Sequence, residues 1–339
     1  MKVYKFIFKR LIISIRYLSI LKTVNGLKLI SLYLFSFTNF MKLTKLSPCF
    51  ISVETTNFCN LHCPECPVGT GKNSKGDKSS FDIELYKNLI DELKPKLLHV
   101  ILYFQGEPFL NLHLFEMIRY ANEARIYTST STNGQFLTEK VAREIVVSGL
   151  DKLIVSIDGS TQEVYETYRQ GGNLQKVTEG INYIVEWKKE LNSATPLIEI
   201  QFLVLKSNEH QMNDMKILAK SLQADRLAFK TAQLYDFENG NELLTTIDRY
   251  ARYRIGKDGK YSIKGKQPNR CWRMWSGAVV NVHGEVLPCC FDKSSGHSFG
   301  NITGSTFSDC WQGEKASGFR GKIIKNRKQF EMCRNCTSH

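Results

Sequence analysis

Short apolar segments rich in β-branched residues alternate with segments of helical periodicity from residue 50 to residue 230. The apolar segments predict six β-strands, at 50–54, 98–104, 127–131, 153–157, 198–204 and 226–230. Helical patterns accompany them at 81–93, 112–124, 138–148, 161–168, 174–190 and 209–221. Repeated strand–helix units indicate an α/β fold with a parallel sheet covered by helices. Because six strands are fewer than the eight of a closed barrel, we expect a partial (β/α)6 TIM-like barrel, with its site at the carboxyl ends of the strands.

A change in composition after residue 235 divides the chain. Residues 236–268 are polar and carry the turn dipeptide Asn239-Gly240, whereas residues 269–339 are rich in cysteine and include a hairpin-like segment at 278–287. A segment this short buries little apolar surface by itself, so we expect metal to stabilise it. We therefore predict four parts: an N-terminal helical segment at 1–48, the barrel at 49–235, a linker at 236–268 and a small Cys-rich domain at 269–339.

The N-terminal segment is basic and contains no acidic residue. Glu54 is the first carboxylate of the chain, and these basic residues precede it: Lys2, Lys5, Lys9, Arg10, Arg16, Lys22, Lys28, Lys42 and Lys45. The apolar stretches at 11–21 and 29–41 are broken by Arg16 or are shorter than the roughly 20 residues of a spanning helix, so neither a transmembrane helix nor a signal peptide is predicted. Two interpretations stay open: amphipathic helices lying on an anionic membrane surface, or a helical cap on the main fold.

Cysteine content and charge limit the functional classes. The 339 residues include ten cysteines, most of them grouped at 59–66 and 271–336, which favours metal ligation over a disulfide framework. The net charge is +13, and nine of the positive charges lie in the N-terminal segment. Because the rest of the chain is only mildly basic and shows no nucleic-acid-binding motif, we do not expect a nucleic acid partner.

Three cysteines directly after the first predicted strand form a C-x3-C-x2-C motif. Cys59, Cys63 and Cys66 lie within eight residues, so their thiolates can converge on one metal centre. A cubane iron–sulfur cluster usually takes four cysteines. Three local cysteines without an obvious fourth indicate a cluster with one open iron, by the logic that separates catalytic from structural metal sites. A fragment of a zinc knuckle is the alternative.

This spacing resembles the signature of the radical S-adenosylmethionine (SAM) superfamily. In that family the open iron of a [4Fe–4S] cluster binds SAM, and reductive cleavage of SAM gives a 5′-deoxyadenosyl radical that abstracts a substrate hydrogen. The resemblance implies that Cys59, Cys63 and Cys66 are the cluster ligands. It also implies contacts to SAM from residues in later motifs of the barrel: Gly106, Glu107, Pro108, Asn133, Ser156, Asp158 and Arg169. Glu65 departs from the family, because many members have an aromatic residue there, and this leaves the adenine contact at that position open.

A second set of cysteines lies near the C-terminus: Cys271, Cys289, Cys333 and Cys336. The pattern C-x12-G-x4-C followed by C-x2-C resembles the SPASM extension, or its shorter Twitch form, which binds auxiliary clusters. The four cysteines imply one auxiliary [4Fe–4S] cluster, and a structural zinc ion is the alternative. Three more cysteines match no ligand position and are expected to be small buried apolar residues: Cys49, Cys290 and Cys310.

The expected function is SAM-dependent hydrogen abstraction from a peptide or protein side chain, or from a carbohydrate-type alcohol. Lys230, Tyr235 and Asp236 follow the last predicted strand and are candidates for substrate contact or a base, although polar boundary residues without a role are the alternative. We expect an electron donor such as flavodoxin or ferredoxin. Oxygen-sensitive clusters favour a cytoplasmic setting, with peripheral contact at the inner face of the membrane if the N-terminal segment binds lipid. A non-catalytic zinc- or cluster-stabilised binding protein is the competing hypothesis.

Overall fold

The computed structural model describes residues 3–35, 46–71 and 77–337. Parallel strands in sequence order form the wall of the barrel: β1 (Phe50–Val53), β2 (His99–Ile101), β3 (Tyr127–Thr132), β4 (Lys152–Ser156), β5 (Leu197–Val204) and β6 (Arg226–Thr231). Each predicted strand is present. Since β6 ends the row, the wall is an open arc, and the predicted partial (β/α)6 barrel is confirmed.

Helices lie before the barrel and between its strands. Their bounds are α1 (Val3–Ile15), α2 (Ile20–Leu34), α3 (Ile83–Leu93), α4 (Leu114–Glu123), α5 (Glu139–Val147), α6 (Gln162–Tyr168), α7 (Leu174–Glu190) and α8 (Met212–Ser221). Side chains of Asp82, Thr138, Thr161 and Asn173 accept a backbone N–H in the first turn of α3, α5, α6 and α7. The apolar faces of α3, α4, α5 and α7 join the buried strands in one continuous core, as a parallel sheet requires.

Residues 236–268, predicted as a linker, contain a small antiparallel hairpin. Its strands are β7 (Tyr253–Ile255) and β8 (Tyr261–Ile263). The ring of Tyr253 stacks on that of Phe237 with 4.2 Å between centroids, and its hydroxyl donates to Asn335 Oδ1 at 2.8 Å. The hairpin therefore connects the end of the barrel to the C-terminal cysteines.

The Cys-rich segment continues the sheet of the barrel. After α9 (Arg273–Ser276), strand β9 (Gly277–Val280) pairs in parallel with β1, and β10 (Glu285–Leu287) and β11 (Gly300–Asn301) add antiparallel strands. Gly277 permits this pairing because a Cβ there would overlap the ring of Phe50. Three helices follow: α10 (Phe307–Gln312), α11 (Glu314–Asn326) and α12 (Glu331–Arg334). The predicted hairpin at 278–287 is present, but its pairing with β1 was not predicted.

The two N-terminal helices cap the amino ends of the barrel strands. Phe6, Ile13 and Tyr17 are buried against Tyr127 and Leu197, the first residues of β3 and β5. The cap interpretation of this segment is therefore correct for the described residues. No helix in the described ranges is long and apolar enough to cross a membrane.

Polar contacts fix the same cap. The hydroxyl of Tyr17 donates to Asp151 Oδ1 at 2.7 Å, just before β4. Lys9 Nζ lies 2.8 Å from Asp225 Oδ1, just before β6, and Lys22 Nζ donates to the carbonyl oxygen of Arg125 at 2.5 Å. Basic side chains of the N-terminal segment thus bind groups at the amino ends of the strands, which form the floor of the barrel.

We predict that acidification destabilises the fold through His99 at the start of β2. Burial lowers the pKa of His99 to about 3, and its Nε2 lies 2.8 Å from Ser129 Oγ. The unfolded chain binds a proton below a pKa near 6.5 and the folded chain does not, so stability falls as the pH drops from about 6.5 toward 3. Between pH 7 and pH 5.5 this loss is about 1 kcal/mol.

Urea midpoints at the two pH values measure the effect. His99→Gln should lose less stability on acidification than the wild type, whereas a His210→Gln control at an exposed position should behave like the wild type. Equal acid sensitivity of the wild type and His99→Gln would contradict the prediction.

Candidate active site and cluster ligands

A cavity of about 160 Å³ opens at the carboxyl ends of the barrel strands. The thiols of Cys59, Cys63 and Cys66 border it. The rest of its wall consists of Leu61, Tyr103, Gly106, Glu107, Ser131, Thr132, Asn133, Ser156, Tyr168 and Arg169. The fold therefore brings together most of the positions at which SAM contacts were predicted. Pro108 and Asp158 are buried beside this cavity without lining it.

We call residues 57–67, which carry Cys59, Cys63 and Cys66, the cysteine loop. This loop is attached to the turn that follows β2. The backbone N–H of Glu107 donates to the carbonyl oxygen of Phe58 at 2.9 Å. The Thr56 hydroxyl donates to the backbone carbonyl oxygen of Glu107 at 3.0 Å. Gly106 has φ +70°, and a Cβ there would overlap the carbonyl oxygen of Thr56. Glycine is needed here both for its backbone angle and for the close approach.

The carboxylate of Glu107 is held by its neighbours at the cavity wall. It accepts hydrogen bonds from the Thr132 hydroxyl at 2.7 Å and from the Asn133 backbone N–H at 2.8 Å. Burial raises the pKa of Glu107 to about 7, although these hydrogen bonds oppose the rise. A cationic amino group in the cavity would favour the ionised carboxylate, so the site can bind an ammonium group.

An ion pair with a buried aspartate fixes the arginine of the cavity. Arg169 Nε donates to Asp158 Oδ2 at 2.6 Å, and the other oxygen of Asp158 accepts the backbone N–H of Leu203 at 2.6 Å. Arg169 NH1 lies 3.9 Å from Cys63 Sγ. Burial raises the pKa of the Cys63 thiol, and the charge of Arg169 opposes that rise. In this structure Asp158 orients Arg169, while Arg169 faces the cavity.

The three thiols fit the donor set of a cluster with one open iron. Asn133 Nδ2 lies 3.6 Å from Cys59 Sγ, and burial raises the pKa of Cys59 to about 11. Thiols of this kind must release their protons when they bind iron. Among the residues that the structure describes, no three Cys, His, Asp or Glu side chains converge closely enough to share a single ion. The thiols are distributed around the cavity instead, where each could bind a different iron.

A second cavity, of about 510 Å³, lies between the cysteine loop, the residues after β6 and the C-terminal segment. Of the three candidates for substrate contact, Tyr235 and Asp236 line this cavity, whereas Lys230 is exposed on β6 and lines neither cavity. Glu65 accepts hydrogen bonds from the Tyr235 backbone N–H at 3.1 Å and from Asn241 Nδ2 at 3.2 Å. The residue that departs from the family pattern thus fastens the cysteine loop to the segment after β6.

The four C-terminal cysteines influence one another electrostatically. Burial raises the pKa of Cys333 to about 11, Cys271 and Cys336 raise it further, and the guanidinium of Arg327 opposes the rise. Burial also raises the pKa of Cys289, and the neighbouring thiols of Cys290, Cys271 and Cys333 add to this rise. Four neighbouring thiols are the usual donor set of a cubane cluster.

Hydrogen bonds shape the loop that carries the last two of these cysteines. Gln267 Nε2 lies 3.0 Å from the carbonyl oxygen of Cys333 and 3.1 Å from that of Cys336. The loop is therefore attached to the segment that follows the β7–β8 hairpin. This attachment was not predicted, because no sequence pattern marks Gln267.

Of the remaining cysteines, Cys310 is buried as expected, but the expectation is wrong for Cys49 and Cys290, which are half-buried and have polar partners. Cys49 donates to the carbonyl oxygen of Ser276 at 3.3 Å, and Arg273 Nη1 lies 3.7 Å from Cys290 Sγ. Sequence reasoning missed two aromatic residues of the first cavity, Tyr103 and Tyr168. Tyr168 could have been found, since it directly precedes Arg169, and Tyr103 follows the end of β2.

Two family models match the chain. Residues 53–195 match the radical SAM superfamily, and residues 271–337 match an iron–sulfur cluster-binding domain called SPASM. These matches confirm the predicted family and replace the zinc alternative with iron–sulfur clusters.

Individual relatives cover most of the chain. The tungsten-containing aldehyde ferredoxin oxidoreductase cofactor-modifying protein of Pyrococcus furiosus is 25% identical over an alignment of 317 positions, which covers 85% of this chain and 87% of that protein. PqqA peptide cyclase of Bradyrhizobium diazoefficiens is 24% identical over an alignment of 319 positions, which covers 85% of this chain and 78% of that protein. SuiB of Streptococcus suis, in a structure bound to the precursor peptide SuiA, shares the fold with a TM-score of 0.63 at 14% identity, covering 86% of this chain and 76% of its own.

We predict that Gly106→Ala disrupts the cysteine loop more than a glycine substitution in open space does. Gly259 is the matched control, because its φ of +76° is similar to the +70° of Gly106 but nothing lies within 4 Å of its Cβ position. Gly259→Ala should cost only the backbone strain, about 1 kcal/mol. Gly106→Ala should also displace the loop from the turn after β2.

Thermal midpoints and iron content after anaerobic reconstitution measure the two effects. The expected result is a larger drop in midpoint and fewer bound irons for Gly106→Ala than for Gly259→Ala. Indistinguishable variants would show that the contact between Gly106 and Thr56 does not support the loop.

Proposed function

Because the chain belongs to the radical SAM superfamily and carries a SPASM iron–sulfur domain, we propose that it cleaves SAM and modifies a peptide by hydrogen abstraction. Its cofactors are SAM and [4Fe–4S] clusters. The observation that carries the proposal is the wall of the smaller cavity, where three thiols, the buried carboxylate of Glu107 and the half-buried guanidinium of Arg169 meet.

We assign the SAM-binding cluster to Cys59, Cys63 and Cys66. The reduced cluster, when bound, supplies the electron that cleaves SAM and releases the 5′-deoxyadenosyl radical. The contacts of the cysteine loop with Glu107 hold the three thiols at the cavity, and Leu61, buried between them, keeps the loop in place. Arg169 places positive charge beside Cys63, which favours the thiolate over the thiol.

We assign the SAM contacts to Gly106, Glu107, Asn133, Ser156 and Arg169. Glu107 offers a buried carboxylate for the amino group of SAM, and Arg169 offers a guanidinium for its carboxylate, which suits the planar fork of arginine. Asp158 holds Arg169 by its Nε and leaves the terminal nitrogens of the guanidinium for other contacts. We treat Asp158 and Pro108 as positioning residues.

We assign one auxiliary cluster to Cys271, Cys289, Cys333 and Cys336. Arg327 is buried next to these thiols and offsets part of their negative charge. Arg334 and Asn335, which lie between Cys333 and Cys336 in the sequence, line the larger cavity, and this supports an auxiliary site near the proposed substrate site.

The larger cavity supports a peptide substrate. Its wall includes both charged and aromatic side chains, among them Tyr235, Asp236, Phe237 and Lys293. Mixed polar and apolar walls of this kind suit a peptide segment with varied side chains. Relatives named for peptide substrates, PqqA peptide cyclase and SuiB, support the same class. Tyr235 and Asp236 are the proposed substrate contacts.

We propose an electron donor such as flavodoxin or ferredoxin and a cytoplasmic location. Low-potential one-electron donors of these classes match the reduction that the SAM-binding cluster requires. We also propose peripheral contact with the inner face of the membrane through the N-terminal segment, where the acid-free helices α1 and α2 lie.

One prediction of this proposal concerns the two sets of cysteines. Wild type, reconstituted anaerobically with iron and sulfide, should bind about eight irons and form 5′-deoxyadenosine with dithionite, as expected for two cubane clusters. Cys63→Ala should lose about four irons and 5′-deoxyadenosine formation together, whereas Cys333→Ala should lose about four irons and still cleave SAM. Cys49→Ala is the matched control, because Cys49 belongs to neither set, and it should retain both.

Iron analysis and chromatography of 5′-deoxyadenosine check these outcomes. Zinc in place of iron, or wild type without 5′-deoxyadenosine, would refute the radical mechanism. Loss of SAM cleavage in Cys49→Ala would instead show that the assay reports protein damage.

Another prediction of this proposal concerns the class of substrate. Cells of the source organism grown in deuterated medium supply a peptide fraction and a fraction of smaller solutes. With the peptide fraction as substrate, deuterium should appear in 5′-deoxyadenosine, and protease treatment of that fraction should abolish the transfer. Transfer from the protease-resistant small solutes would exclude a peptide and favour an alcohol substrate.

A further inference from the structure

The N-terminal helices present a broad apolar face to solvent. Within residues 3–35, fourteen large apolar side chains are 42–83% exposed, whereas all other described parts of the chain together contain six. The exposed side chains include Phe8, Leu11 and Ile15 of α1 and Leu27 and Leu34 of α2. We call the exposed apolar side chains of residues 3–35 the outer face. Contiguous exposed apolar surface of this kind usually marks a site of protein or membrane interaction.

The barrel fixes which side of the helices points outward. Phe6, Ile13 and Tyr17 occupy the inner side of α1 and the turn after it, packed on the floor of the barrel. On α2, Asn25 Nδ2 donates to the carbonyl oxygen of Ser47 at 2.9 Å, and the ring of Tyr33 lies 5.5 Å from that of Trp272. Because both helices are attached on their inner sides, the outer face is a fixed part of the folded surface.

The charge of these helices selects the kind of partner. Residues 1–53 contain no Asp or Glu, and the exposed bases Arg10 and Lys28 lie among the apolar side chains. Lys9 and Arg16 are exposed as well, but they pair with Asp225 and Asp151 of the barrel. An acid-free segment with exposed cations complements anionic lipid headgroups. A second copy would bring the same cations against each other in a twofold interface, which opposes self-association.

The lengths of the helices determine how they can meet a bilayer. α1 has 13 residues and α2 has 15, fewer than the roughly 20 that span a bilayer. With one side bound to the barrel and the other apolar, each helix is suited to lie in the plane of the lipid–water interface. The long side chains of Lys and Arg can reach from the apolar layer to the phosphates.

The floor and the mouth of the barrel lie at opposite ends of the strands. The cap contacts Tyr127 and Leu197 at the amino ends of β3 and β5, whereas the smaller cavity is lined by Ser131 and Ser156 at the carboxyl ends of β3 and β4. An enzyme seated on its floor therefore directs its mouth into the water.

We propose that the outer face docks the enzyme on an anionic lipid bilayer, with α1 and α2 in the interface and the mouth of the barrel facing away from the lipid. The proposal rests on the proposed membrane contact and not on the radical chemistry. It implies that the substrate reaches the site from the aqueous side.

Flotation of the reconstituted full-length enzyme with vesicles tests the proposal. Vesicles of phosphatidylcholine with 30% phosphatidylglycerol should carry the wild type, and pure phosphatidylcholine vesicles should carry less of it. The variant Phe8→Ser/Leu11→Ser/Leu27→Ser removes apolar groups that are 55–62% exposed and should float at least tenfold less. The control Leu112→Ser/Ile217→Ser/Ile255→Ser changes residues elsewhere that are 61–94% exposed and should float like the wild type.

A second measurement reports insertion directly. Lipids brominated on the acyl chain should quench added tryptophan fluorescence in Leu11→Trp and not in Ile217→Trp, each compared with the wild type. Equal quenching at both positions, no flotation of the wild type, or flotation unchanged by the triple substitution would each overturn the proposal. A wild-type dimer that the triple substitution converts to a monomer, without vesicle binding, would assign the outer face to a second copy.

Formation of 5′-deoxyadenosine is measured on the same samples. The triple variant should retain it, because its substitutions lie at the end of the barrel opposite the cavity. Flotation without 5′-deoxyadenosine in the wild type would refute the radical mechanism and leave the docking proposal intact.

Discussion

The pairing of β1 on both of its edges holds the two halves of the molecule together. One edge pairs with β2 and continues into the barrel, and the other pairs with β9 and continues into the C-terminal segment. The cysteine loop begins a few residues after β1, and Cys271 lies a few residues before β9. The register Phe50↔Gly277 therefore sets the position of one cysteine set relative to the other. A domain joined only by a flexible linker would leave that distance variable.

Buried carboxylates lie at both ends of the barrel, and each has hydrogen-bond partners that offset the free-energy cost of its burial. At the floor, Asp151 accepts the hydroxyl of Tyr17 and the backbone N–H of Thr128. At the mouth, the carboxylate of Glu107 accepts hydrogen bonds from the Thr132 hydroxyl and the Asn133 backbone N–H. The carboxylate of Asp158 accepts one from Arg169 Nε. Unpaired buried charges would be strongly destabilising, so these contacts constrain the loops that supply the partners. The floor contacts attach the cap, and the mouth contacts shape the cavity.

The strands, the helices and the convergence of motifs at the strand ends could be predicted from the sequence. Alternation of apolar residues is local, and parallel strands bring their carboxyl ends to one edge, so Glu107, Asn133 and Ser156 were expected to meet. The pairing of β9 with β1 could not be predicted, because it joins residues more than two hundred positions apart and depends on the absence of a side chain at Gly277. The burial of Asp158 and its hydrogen bond to Arg169 could not be predicted either, because no motif indicates them.

Composition left a membrane surface and a structural cap as competing interpretations of the N-terminal segment, but the fold makes them compatible. An amphipathic helix has two sides, and the cap uses only the inner one, where Phe6 and Tyr17 pack and Lys22 binds the carbonyl oxygen of Arg125. If the cap were the whole explanation, the opposite side would be polar, as on α3, whose outward residues include Glu84, Asp91 and Glu92. The outward side of α1 carries Phe8 and Leu11 instead. A water-facing helix gains nothing from such residues, so their presence favours a partner other than the barrel.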